Sequence, residues 1–138
     1  MAWVIDTCLI LDVLEDDAEF GAVSAELIDS KAEDGLVVAP VTYIELAPAF
    51  LGDRRSQDDF LQQMGVDLQN DWLFQDTMNA HGAWQRYMTA KRAGQATKRP
   101  IADILIGAFA CRQDGLMTRN PRDFKAIFPT LDVLEPLG

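Results

Sequence analysis

Residues 2–14, AWVIDTCLILDVL, decide the fold. "AWVIDT" is a short apolar run that ends on a carboxylate, Asp6, and is followed by an apolar segment with helical spacing, Leu9–Leu14. A strand apolar on both faces and followed at once by a helix is how a β-α unit of a helix-covered parallel sheet begins. The alternation recurs downstream. "GLVVAP" (35–40) reads as a second strand ended by Pro40, "GLMT" (115–118) as a third and "LDVLEP" (131–136) as a last, with "VDL" (66–68) a weaker candidate.

Helical patterns fill the intervals. Phe20–Glu33 carries Val23, Leu27 and Ile28 at helical spacing, and Gly35 is placed to stop it. Thr42 reads as the N-cap of a helix containing Ile44, Leu46 and Ala47, and Ser56 opens another that closes near Gly65. A long helix is expected from about Asp71 to Ala93, a further one over "IADILIGAFA" (101–110), and a turn or two over "PRDFKAIF" (121–128). With no repeat and no linker, residues 1–138 read as one domain. The expected architecture is a three-layer α/β/α sandwich around a mostly parallel sheet of about four to five strands.

At 49% hydrophobic and 25% charged residues, the composition is that of a globular chain and not a disordered one. The longest apolar stretches are too short to span a bilayer, and the first residues lack the basic start of a signal peptide. Two cysteines, Cys8 and Cys111, form no disulfide framework; both read as small core residues, and cytoplasmic residence is expected. The net charge of −10 argues against a general nucleic-acid binder, yet it is unevenly spread. Residues 1–53 hold twelve acids and one base, whereas residues 86–125 hold nine bases and three acids. A local basic surface including Arg92, Lys98, Arg99, Arg119 and Arg122 can bind phosphates, or can simply be solvated helix faces.

Ligands of parallel sheets gather at the carboxyl ends of the strands. Asp6 ends the first strand, and Glu45 follows the second by a turn of helix. Asp103 stands in the first turn of an otherwise apolar helix, where the dipole already favours a carboxylate, and Asp123 follows the third strand with Asn120 nearby. Clustered carboxylates repel unless a cation joins them, and oxygen donors without His or Cys pairs suit Mg²⁺ or Mn²⁺. Such an ion activates water for phosphodiester hydrolysis. Each acid also has a plainer role: Glu45 lies three residues after Thr42, at capping-box spacing, and Asp123 can cap the turn before Phe124. The lone His81 lies mid-helix and reads as a surface or packing residue.

"VIDTCLILDVL" (4–14), "APVTYIELAPAF" (39–50), "ADILIGAFA" (102–110) and "GLMTRNPRDF" (115–124), in this order and spacing, resemble the PIN-domain family. More narrowly they resemble the toxin ribonucleases of VapBC-type bacterial toxin–antitoxin pairs. The resemblance implies an RNA-cutting nuclease with Asp6, Glu45 and Asp103 as catalytic ligands of Mg²⁺ or Mn²⁺. It matches Thr7 and Thr118 to hydroxyls that orient carboxylates or metal waters, and implies a homodimer and a small VapB-like antitoxin that blocks the acidic pocket. Two positions depart from the family pattern. Cys8 stands where Asn or Ser is common and is not expected to supply the same hydrogen bonds, and Asn120 stands where a fourth acid is common. Asp123 takes over that role if the "NPRD" turn brings it inward. A PIN-like binding module with a weakened metal site is the alternative, and a phosphotransfer domain is disfavoured because position 8 is Cys8 and not the second acid such chemistry needs.

Overall fold

The computed structural model describes residues 1–92 and 100–137. Strands β1 (Trp3–Ile5), β2 (Leu36–Val37), β3 (Gly115–Met117) and β4 (Val133–Leu134) form one all-parallel sheet in the order β2-β1-β3-β4. Around it lie α1 (Thr7–Leu14), α2 (Gly21–Ser30), α3 (Pro40–Glu45), α4 (Arg54–Met64), α5 (Phe74–Arg92), α6 (Pro100–Ala110) and α7 (Pro121–Ile127).

Side-chain alternation along the strands sorts the helices into two layers. Ile5, Leu36, Val38 and Met117 pack with Leu9, Ile10, Ile28 and Leu61, so α1, α2 and α4 cover one face. Val4, Val37 and Leu116 pack with Ala83, Tyr87, Ile106, Phe109 and Phe124, so α5, α6 and α7 cover the other. The result is the α/β/α sandwich that the strand-helix alternation predicts. Within α6, Gly107 is required by close packing, because a Cβ there would run into the Phe128 ring.

Several boundaries differ from the sequence reading, each for a local reason. The "VDL" candidate contributes only an isolated bridge between Val66 and Leu36. The helix expected over Phe20–Glu33 ends at Ser30 and is followed by a 3₁₀ turn, Ala32–Asp34, after which Gly35 at φ 99° turns the chain into β2. Pro40 opens α3 at a position where its missing N–H costs nothing, so Thr42 lies inside that helix and is not its cap. Asp53, not Ser56, caps α4, accepting from the Arg55 and Ser56 N–H groups. Cys111 is exposed just after α6 and is not a core residue, whereas Cys8 is half-buried.

Candidate active site

Asp6 leaves β1 in extended conformation (φ −68°, ψ 148°) and caps α1. Its N–H continues the ladder by donating to Met117 O at 2.9 Å, which sets it beside the end of β3. There the strand order reverses: β2 lies on one side of β1, and β3 and β4 on the other. That reversal is where a parallel sheet opens a crevice for ligands.

The Asp6 side chain is fully buried, so its charge must be met by donors. Thr7 N–H donates to Oδ1 at 2.8 Å, and the Thr118 hydroxyl donates to Oδ2 at 2.7 Å. The Asn120 N–H in turn donates to Thr118 Oγ1 at 3.0 Å, which leaves the threonine proton free to point at Asp6. Cys8 Sγ lies 3.4 Å from Oδ2 as a further donor. Burial first and the Asp6 charge second push the Cys8 thiol from 9.0 up to about 12, so it keeps its proton near neutrality. Cys8 thus supplies a hydrogen bond that its residue type alone does not lead one to expect.

Thr7 serves a second carboxylate. Its Oγ1 lies 2.7 Å from Glu45 Oε1 and 3.0 Å from Thr42 Oγ1. A hydroxyl has one proton and an ionised carboxylate can only accept, so Thr7 donates to Glu45 and receives from Thr42. One residue therefore holds Asp6 by its backbone and Glu45 by its side chain. In the sequence the spacing of Thr42 to Glu45 reads as a capping box, yet residues three apart also share a helix face, and here both face Thr7.

Asp103 stands in the first turn of α6, 8% exposed, and α6 packs against α3. Asp123 is half-buried in the first turn of α7, and Asn120 occupies the N-cap position of that helix, exposed and without a side-chain cap bond. Among the described residues, no group of three or more His, Cys, Asp or Glu side chains is arranged to hold a metal ion. The donors near Asp6 are nonetheless mostly hard oxygens (two carboxylates and three threonine hydroxyls), a set whose chemistry suits Mg²⁺ or Mn²⁺.

Four bases of the basic stretch are engaged in the fold. Arg119 pairs with Asp12 at 2.7 Å and lies 4.4 Å over the Phe20 ring. Arg112 grips the fully buried Asp76 through Nε and Nη2, both at 2.9 Å. Lys125 donates to Leu131 O and Arg86 to Ile127 O. Lys91 and Arg122 are exposed, while Lys98, Arg99 and the Arg92 side chain lie outside the described residues. His81 is exposed on α5.

No family model matches the chain, and no curated protein matches it. Among the described residues, no helix is long and apolar enough to cross a membrane.

Proposed function

We propose that the chain is a divalent-metal-dependent endoribonuclease of the PIN-domain kind, the toxin of a toxin–antitoxin pair. In this reading it acts in the cytoplasm as a homodimer restrained by a small VapB-like antitoxin. The observation that supports it is the pairing of Asp6 and Glu45 through Thr7 at the reversal of strand order, with Asp103 on the helix packed against α3. Asp6, Glu45 and Asp103 would hold Mg²⁺ or Mn²⁺, with Asn120 or Asp123 as a further oxygen donor. The ion supplies an activated water and neutralises charge at the phosphodiester. Thr118 and Cys8 orient Asp6, Thr7 orients Glu45, and Arg122 with Arg92, Lys98 and Arg99 guides RNA. Arg119 contributes by holding β3 to α1.

The test is cleavage of cellular RNA by the purified chain with Mg²⁺ or Mn²⁺, with and without EDTA. Asp6→Asn and Asp103→Asn are each expected to lower cleavage by more than about 100-fold while the folded spectrum is retained. Cleavage at the parent rate by either variant sinks the assignment. A binding module without catalysis is the second reading, favoured by the lack of a three-ligand group among the described residues. Calorimetric titration separates the two: absence of Mn²⁺ binding in the millimolar range supports the module.

A further inference from the structure

A cavity of about 540 Å³ lies between one face of α5 and the chain that links α7 to β4. Gln75, Met78, Asn79, Gly82 and Arg86 line it from the helix, and Pro129 lines it from the link between α7 and β4. Cys111, which precedes β3, also borders it. The cavity is therefore at the amino ends of β3 and β4, across the sheet from Asp6 and Thr118.

Arg86 is exposed, and its guanidinium is tethered beside the cavity without a counter-charge. Its Nε donates to Ile127 O at 3.0 Å, and its guanidinium lies 5.8 Å over the Phe128 ring. Among the described residues it makes no ion pair and no other hydrogen bond, unlike Arg112 and Arg119, which both find carboxylates. An oriented fork with both Nη groups unused is the preferred receptor for a carboxylate or phosphate. Gly82 adds an independent observation. Glycine is the least favourable helix residue after proline, and nothing crowds this one: a Cβ there would meet only Arg86 Nη1, at 3.5 Å. Its missing side chain leaves open the floor of the cavity.

We propose that this cavity is a binding site for a small organic anion, with its charged group on Arg86 and its body against Met78 and Pro129. The Gln75 and Asn79 amides, one helical turn apart, read polar edges of that body. The volume suits a molecule the size of a mononucleotide. None of Asp6, Glu45 and Asp103 lines this cavity, so anion binding there is independent of RNA cleavage.

The probes are AMP, adenosine and inorganic phosphate, each titrated into the 138-residue chain and followed by amide NMR shifts. AMP is expected to bind with Kd below about 1 mM, shifting residues 75–86 and 127–130 and leaving 6, 45 and 118 unmoved. Adenosine and phosphate alone are each expected to bind at least about tenfold more weakly. Arg86→Gln should weaken AMP binding by at least about tenfold, and Gly82→Leu should abolish it by filling the floor. Gly82→Ala, which has room for its methyl, serves as the folded control, and Asp6→Asn should bind AMP as the parent does. Alkylation of the exposed Cys111 should slow when AMP is present. No AMP binding by the parent chain, unchanged affinity in Arg86→Gln, or shifts centred on residues 6 and 45 would each overturn the proposal.

Discussion

Thr118→Val tests how the candidate site is held. The substitution keeps the branched shape but removes Oγ1, which donates to the buried Asp6 carboxylate at 2.7 Å and accepts from Asn120 N–H at 3.0 Å. A bond to a charged acceptor contributes about 1.5–3 kcal/mol and a neutral one about 0.5–1.5 kcal/mol. Thr118 is fully buried, so water cannot substitute, and the expected loss is about 2–4 kcal/mol. For a chain of this size that lowers the melting midpoint by about 6–16 °C. Thr118→Ser keeps the hydroxyl and gives up one methyl, for a loss of only about 1 kcal/mol. The assay is urea unfolding in EDTA, so that metal does not enter the comparison. If packing governed this position, Val would be the milder change and Ser the harsher. That order, or a Val variant within 0.5 kcal/mol of the parent on the ~1 kcal/mol scale of a single hydrogen bond, refutes the reasoning.

Other perturbations reach the scaffold. Arg112→Gln strips a buried Asp76 of its two guanidinium bonds and should cost about 3 kcal/mol in urea unfolding, with Asp76→Asn in the same chain recovering part of it. Gly107→Ala should destabilise by about 2 kcal/mol despite the better helix propensity of alanine, because the Phe128 ring occupies the methyl's place; a stabilised variant contradicts the packing. At Asp53 the Ser56 hydroxyl first, and the Ser56 and Arg55 N–H groups after it, hold the carboxyl below its ordinary 3.8. The stabilisation is thus present above pH 3.8 and fades as pH falls through the lower folded value. Stability of parent and Asp53→Ala chains should therefore converge in strong acid, which thermal melts across pH 2–6, the range spanning about the carboxylate pKa, would show.

The sandwich was legible because apolar strands alternate with helices, and the period of two in Val4–Ile5, Leu36–Val38 and Leu116–Met117 feeds both layers. The positions of Asp6 and Asp103 were legible too, since each follows directly from a strand end or a helix start. Thr42 was not, because a proline two residues earlier begins the helix sooner than the hydroxyl pattern indicates. The pairing of Arg112 and Arg119 was not legible for a different reason. Sequence shows where charges are but not which carboxylates they meet, and Asp12 and Asp76 lie 107 and 36 residues from their arginines. Cys8 shows the same limit at short range, where burial beside Asp6 makes a thiol into a lasting proton donor.

The bond between Thr118 and Asp6 joins residues 112 apart, so its formation is an event in time as well as in space. At about 5–20 residues per second, a ribosome adds Thr118 roughly 4–15 s after Glu45. Throughout that interval β1 lacks its β3 neighbour, and Asp6 lacks the hydroxyl that orients it. Closing so long a loop is also slow once the chain is complete. Whatever chemistry the carboxylates perform therefore needs Thr118 in place, and a nascent chain that stops before it carries the acids without the arrangement.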